Sequence, residues 1–504
     1  SGGHTQGGMT NVTLKTGGNQ LHGTAYYSML NPVLNANLFF ANKAGQERGH
    51  FVYHRFGASA TGPVMLPKFY NGQDRTFFTY GYEGIRESRA MGAAYGSGVL
   101  TVPTEAERRG DFSDLLRLGS SYQIYDPATR AAVGNGRYGV LPLANNVIPN
   151  SRLNPVAQNI LSYWALPNVT GTADFSNNLI RVNDPEVIRY YNHIGRVDHN
   201  FSENNRMFVR FNTYNRFSTS SDWFRSLATG GESLWKQHSF SVDDVHNFTP
   251  TTFMNLRYSF FRLSIYQYPN PDSQGFDLTS LGLPASYANA ISPDERSFPN
   301  IVIAGYSGTP NNWWRYPTHN QSFESNITSV QGAHTLRYGG DFRQYRNFQY
   351  EPHNASTGTF TFATDWTRGP FDNSPASPKG QGLASMLLGL PTSGGVDRKA
   401  SFAAQSMVGS LYFQDDWRVT NRLTINLGLR YELESAMTER FNRTVRGYDF
   451  TSSSPLEAQA RANYALNPIA EIPVDQFRVL GGLTFPGVGG QPRALWNRDI
   501  RSEG

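Results

Sequence analysis

The sequence contains no cysteine, which excludes a disulfide frame, a thiolate metal site and a cysteine nucleophile, and fits passage through an oxidising compartment. Charge is scarce as well, with Asp, Glu, Lys and Arg making up 16% of 504 residues. Only six of the 44 basic residues are lysine, and no Lys/Arg run of five or more occurs, so nucleic acid is not expected as a partner. No run of about 18 apolar residues exists. The longest, LASMLLGL at 383–390, cannot cross a membrane as a helix, so any crossing would use strands. The chain opens at Ser1 without an initiator Met or a signal-type segment, which predicts a processed or internal start. Aromatics stand at 13% and mean hydropathy at −0.48. Polarity therefore comes from Gly, Asn, Ser, Thr and Gln, a composition that predicts strands with long polar loops and little helix.

The residues present alternate. In RLTINLGLRYE, Leu423, Ile425, Leu427, Leu429 and Tyr431 share one face, while Asn426, Arg430 and Glu432 share the other. The same pattern recurs in RMFVRFNTY, FMNLRYSFF, HTLRYGGDFR and LHGTAYYSM, predicting strands of roughly ten residues. Such a strand either packs its apolar face into a soluble core or turns it to lipid around a wet lumen. The connections discriminate better. Tight polar turns at 200–205, 247–252, 331–334 and 419–422 alternate with long segments near 31–50, 87–188, 217–236, 267–318 and 349–401. Short turns at one end and long loops at the other are expected of an outer-membrane barrel, whereas a propeller would repeat every 40 to 45 residues or so. A secreted β-rich carbohydrate-binding protein remains the soluble alternative.

On the barrel reading, Arg210, Arg257, Arg337, Asp341, Arg343, Arg430 and Glu432 are expected to face the lumen, where charges stay solvated or pair between neighbouring strands. Trp223, Trp235, Trp313, Trp314, Tyr316 and Trp366 lie in or beside the long segments. They could stack on a substrate, or serve as an interfacial girdle and as loop packing. Within 87–188, the spacing of Val156, Ile160, Leu161 and Trp164 before Pro167 predicts one short helix. No catalytic constellation stands out, and neither enzyme activity nor a cofactor is expected. His50 and His54 lack the acidic partner of a zinc helix, so no metal site is expected there. Asp415 and Asp416 should point to opposite strand faces, and GQG at 380–382 and GVGG at 487–490 lack a phosphate-loop setting.

GGMTNVTLKTGGNQLHGTAYY, NANLFFAN, RFGASATGPV, DRTFFTYGYEGIR, VPTEAERRGDFSDL, IPNSRLNPVAQNIL, RVDHNFSENNRMFVRF, HTLRYGGDFR and YFQDDWRVTNRLTINLGLRYE, in this order, resemble the TonB-dependent outer-membrane receptors of the Oar-like group, which often carry a carboxypeptidase-regulatory-like domain. The resemblance implies an all-β, transmembrane antiparallel barrel of 22 strands preceded by a plug. Residues 1–19 would be the end of the plug and its exit, 20–435 the first half of the barrel with about eleven strands, 87–188 a large extracellular loop, and 436–504 a further loop or the next strands. It also implies location in the bacterial outer membrane, contact with its lipid, and coupling to the TonB complex through a region upstream. The implied function is import of a large or scarce substrate, whether oligosaccharide, peptide or metal chelate. A passive porin would share the barrel and lack the plug.

Overall fold

A computed structural model of the chain describes residues 13–37, 39–43, 45, 51–90, 98–180, 185–220, 222–309, 313–350, 356–398 and 401–496. Eleven strands form one antiparallel path in strict sequence order: β1 (His22–Leu30), β2 (Phe51–Pro63), β3 (Thr76–Ala90), β4 (Pro185–Ser202), β5 (Asn205–Ser220), β6 (Gly231–Thr249), β7 (Thr252–Pro269), β8 (Trp314–Gln331), β9 (His334–Gln349), β10 (Phe402–Thr420) and β11 (Leu423–Glu434). Four of the hairpins close through two residues, at 203–204, 250–251, 332–333 and 421–422, a length common among hairpins. In the third, Gly332 takes φ 59°, a conformation that glycine adopts without steric cost. The register slips by one residue beside three of these turns, at Asn200/Ser202, Asn247/Thr249 and Arg418/Thr420, so the bulges sit where pairing ends. The turn between β2 and β3 is longer and holds a small hairpin of Met65–Leu66 with Tyr70–Asn71. Every long connection therefore leaves from the opposite edge.

Pairing register decides which residues share a face. Leu411, Phe413, Tyr338, Ile327 and Met254 stand on one face, with Phe342, Phe323 and Tyr258, and then Phe260, Phe240 and Phe211, on successive rungs. Leu411, Leu427, Leu429 and Leu433 are each more than half exposed, and an apolar surface of this extent suits hydrocarbon rather than water. The other face carries Asp243, Arg257, Glu324, Asp341, Ser410 and Glu432 along one continuous rung. Asp415 and Asp416 fall on opposite faces as their adjacency requires, Asp415 pairing with His334 and Asp416 with Arg337.

Two expectations need correction. Apart from β1, which has 9 residues, the strands are longer than ten: β11 has 12, and β6 and β10 reach 19. A membrane strand needs about 9 to 11 residues, so β6 and β7 run well past the last phenylalanine rung on the side of the long loops. The segments assigned to 217–236 and 267–318 shrink accordingly to 221–230 and 270–313. Residues 13–18 form no strand, and the rest of the expected plug terminus, 1–12, lies outside the described residues.

Among the described residues no helix is long and apolar enough to cross a membrane; the helices are short and lie outside the eleven strands. Beyond β11, residues 447–453 and 480–484 pair as a further hairpin that flanks the helix Glu457–Tyr464.

Depth along the apolar face can be read from side-chain charge. In the full-length protein folded into vesicles, Leu411→Arg should cost about 2 to 4 kcal/mol, because Leu411 stands within the apolar band. Leu427→Arg, whose register partner is Asp415 near the turn, should cost about 0 to 1 kcal/mol. Urea unfolding of both variants checks the difference. Equal losses would place the band elsewhere.

Candidate functional site

The polar face is an ion-pair network fixed by cross-strand register. Arg257 of β7 reaches Asp243 of β6 at 2.6 Å and Glu324 of β8 at 3.9 Å, and Asn255 donates to Asp243 at 2.8 Å. Asp341 of β9 takes Arg343 at 3.2 Å, Arg430 of β11 at 2.8 Å and the Ser410 hydroxyl at 2.7 Å. Arg430 also holds Glu432 at 3.1 Å, Arg337 pairs with Asp416, and the Tyr412 hydroxyl donates to Asn326 at 2.6 Å. Further along the wall, Arg55 and Tyr26 both bind Glu83 at 2.6 Å, and Arg196 pairs with Asp198 while covering Phe208 at 3.9 Å. The seven polar positions named from the sequence thus share one face. Six of them are joined to a carboxylate or guanidinium partner, whereas Arg210 has no carboxylate partner among the described residues. Each pair is partly exposed and worth little singly; their effect is to keep charge on the wet side of the wall.

The same face holds the chain that precedes β1. The Thr79 hydroxyl of β3 donates to the Lys15 carbonyl at 2.9 Å, and Arg196 of β4 reaches the Leu14 carbonyl at 3.4 Å. Gly17 lies so close to β2 and β3 that an added Cβ would meet the Phe78 carbonyl at 2.7 Å and Phe77 Cβ at 2.9 Å. Residues 13–18 therefore lie against the polar side, at a spacing only glycine allows.

Over the edge with the long connections sits an apolar core that the sequence reading missed. Val102, Phe112, Leu115, Ile124, Ile148, Leu161 and Trp164 from 91–184 join Phe224 and Ala228 from 221–230, Leu278, Leu281, Ile301 and Ile303 from 270–313, and Leu383, Met386 and Leu387 from the last long loop. Four loops thus fold as one cap. Its scaffold includes α1 (Pro155–Leu161), capped by the Asn154 side chain, and α2 (Gln381–Leu387), buried along its whole length. Gly382 of α2 permits the contact, since a Cβ there would meet Ala304 O at 2.8 Å and Phe362 O at 2.9 Å. Asn300–Ile303 pairs in parallel with Thr359–Phe362, tying the loop before β8 to the loop before β10.

Inside the cap, Lys379 lies 3.4 Å from Glu107 with side-chain exposures of 1% and 3%, so both charges are cut off from water. Lys379 Nζ also donates to the Asp174 carbonyl at 2.9 Å, and the Tyr306 hydroxyl donates to Glu107 at 2.8 Å. Burial pushes the Lys379 ammonium down in pKa against the pull of Glu107, and pushes the Tyr306 phenol well up. Arg152 binds Asp126 through two hydrogen bonds of 2.6 and 2.7 Å, and these bonds hold the Asp126 carboxyl below its ordinary value.

The six aromatic positions separate into distinct settings. Trp235, Tyr316 and Trp314 stand on strands rather than loops, on the polar face above the ion pairs: Trp235 is opposite Ile265, Ile265 opposite Tyr316, and the Trp314 and Tyr316 rings are 4.7 Å apart. Trp223 packs against the cap core, and Trp313 is buried beside Tyr268 at 6.3 Å. Trp366 is 39% exposed and donates to the Pro391 carbonyl at 3.1 Å. Among the described residues no group of three metal-ligating side chains occurs.

The wall and cap define the class, a membrane β-barrel wall with one charged face and with its long loops folded together at one edge. A family model for the outer membrane beta barrel domain matches residues 13–502, and the chain belongs to that family, whose place is the bacterial outer membrane. No curated protein matches the chain. Among solved structures, it is similar to the outer membrane transporter YddB from Escherichia coli at 8% identity and TM-score 0.44, over 84% of this chain and 41% of that one. It is also similar to a mutant ferric enterobactin receptor, PfeA, from Pseudomonas aeruginosa, at 9% identity and TM-score 0.35 over 84% and 41%. A third likeness is the siderophore receptor PirA from Acinetobacter baumannii, at 12% and 0.34 over 85% and 42%. The chain spans less than half the length of each.

Two outcomes test the cap. Glu107→Gln should destabilise it by about 3 to 5 kcal/mol by stranding a buried ammonium, and adding Lys379→Met should restore most of the loss; limited proteolysis of the cap in the full-length protein measures both. The Asp126 pKa is depressed on folding, so its contribution is complete above the unfolded carboxylate value of about 3.9 and is lost as pH falls through the lower folded value. Protease resistance of the cap should fall over that acid window, and the fall should be shallower in Arg152→Gln.

Proposed function

We propose that the chain is the first half of the barrel of a TonB-dependent outer-membrane transporter, with its plug upstream of residue 13, that imports a substrate too large or scarce for passive diffusion. The observation that carries this reading is the approach of 13–18 to β1 along the polar face, through Thr79, Arg196 and the close packing of Gly17. A chain that reaches its first strand from inside the lumen comes from material held there. The Oar-like motifs support the same reading, and so does the cap, which covers the route inward with a folded core rather than an open mouth. Oligosaccharide, peptide and metal chelate remain the substrate classes, and no residue here is assigned to TonB.

A passive porin is the competing function. Uptake by the full-length protein should stop when the TonB complex is deleted or the inner-membrane proton gradient is collapsed, and the protein in a planar bilayer should conduct poorly until its plug is removed. Uptake indifferent to TonB, with steady conductance, would establish the porin.

The polar-face aromatics are the substrate-contact candidates best placed between the cap and the ion pairs. Replacing Trp235 and Tyr316 together with Ala should weaken binding of the transported substrate by about tenfold or more, at roughly 1 kcal/mol per lost stacking contact, without changing heat-dependent gel mobility. Equal affinity in wild type and variant would return them to wall packing.

A further inference from the structure

We infer that the outer, lipid-side face of the wall carries a binding site for the phosphorylated headgroup of a glycolipid in the surrounding outer leaflet, built by Arg262, His319 and Arg346. The register places these three on adjacent strands of one rung: Arg262 of β7 opposite His319 of β8, and His319 opposite Arg346 of β9, with Gln405 of β10 next. The rung toward the turns is Phe211, Phe240, Phe260, Gln321, Gln344 and Met407, and the rung beyond that is Val209, Val242, Tyr258, Phe323 and Phe342. The face thus changes from aromatic to basic where acyl chains give way to headgroups.

Among the described residues nothing acidic balances the basic rung. Arg262 reaches only the Ser264 hydroxyl, at 3.4 Å, and Arg346 the Gln405 side-chain oxygen, at 2.8 Å. No carboxylate pairs with either among the described residues, whereas most arginines on the lumen side have one. Arg262 and Arg346 flank His319 from either side, and their like charges repel across it, so an anion seated between them recovers energy that the protein alone does not. Beside the rung lies a cavity of about 770 Å³, walled by Arg262, His319, Arg346 and Gln405 and closed on another side by Arg440 and Arg493. The Arg493 guanidinium binds the Asn442 side chain at 3.2 Å and the Arg440 carbonyl at 3.5 Å, which again leaves the positive charge uncompensated. Guanidinium groups match phosphate oxygens in fork geometry. A lipid phosphate whose acyl chains lie on the phenylalanine rungs meets both surfaces at once, which a free phosphate ion does not.

The test uses the full-length protein in nanodiscs of phosphatidylethanolamine doped with diphosphorylated lipid A or with the same lipid stripped of its phosphates. Native mass spectrometry should show the phosphorylated form retained at least tenfold more than the stripped form, and Arg262→Gln with Arg346→Gln should abolish that preference. Arg130→Gln, a cap residue stacked on Tyr138 at 4.2 Å, should leave it unchanged, and wild-type heat-dependent gel mobility in all variants shows that the barrel has formed. Equal retention of the two lipids, or an unchanged preference in the double variant, would overturn the site. Inorganic phosphate displacing the glycolipid at equal molarity would show a free-anion site and overturn the lipid assignment.

Discussion

The structure depends on one constraint: in hydrocarbon no water is available to satisfy a backbone N–H or C=O, so each must be paired along its whole crossing. The path from β1 to β11 meets it by pairing each strand with its sequence neighbours, which two-residue turns make possible at one edge; β10 also takes Thr438–Glu439 beside its start. Once pairing is fixed, side-chain period two forces every residue to one of two faces, and a slip of one residue would put Arg257 and Asp243 into lipid. The bulges at Asn200, Asn247 and Arg418 lie beside the turns, where a register error costs least. The outer edges of β1 and β11 are without strand partners among the described residues.

The cap obeys the opposite rule. Its segments lie in water, so its backbone needs no continuous ladder and its stability comes from burying side chains that strands cannot use. Four loops of unequal length converge because none holds enough apolar surface alone: the 221–230 segment supplies little more than Phe224 and Ala228, while 91–184 and 270–313 together supply most of the rest. Lys379, Glu107 and Tyr306 come from three different loops. Such a buried pair adds little net stability but penalises any arrangement that separates its members. It therefore fixes the relative placement of the loops, which apolar contacts, being undirected, would leave open.

The wall was legible because its signal is local. The alternation from Leu423 to Tyr431 and the four tight turns follow from residues close in sequence, and the count of about eleven strands from the ordered family resemblance. The cap was not legible because its contacts are remote: Glu107 meets Tyr306 and Lys379 across roughly 200 and 270 residues of chain, and LASMLLGL, a run too short to span, overlaps the buried helix α2. Strand length was lost for a different reason. Beyond the bilayer the two faces exchange character: the lumen side of β6, β7 and β8 becomes Trp235, Ile265 and Tyr316, while the outer side becomes His238, Arg262 and His319. A reading that follows hydrophobic alternation stops where the sign of the alternation reverses, and it placed Trp235, Trp314 and Tyr316 in loops. The helix near Pro155 was found because its cap and apolar spacing are local.

That reversal is a consequence of what each face meets at each depth. At the level of hydrocarbon the outer side must be apolar, and the lumen side, being wet, holds the charges in pairs that cancel. Above the hydrocarbon the outer side meets charged headgroups and the lumen side lies beneath the cap, so the demands change places: basic residues outside, aromatic residues inside. The ion pairs of Asp243, Asp341 and Asp416 are closed within the protein, whereas Arg262 and Arg346 are left open toward the leaflet. Compensation inside and its absence outside express one rule, that a charge is balanced by whatever lies opposite it, and on the outer wall what lies opposite is the membrane.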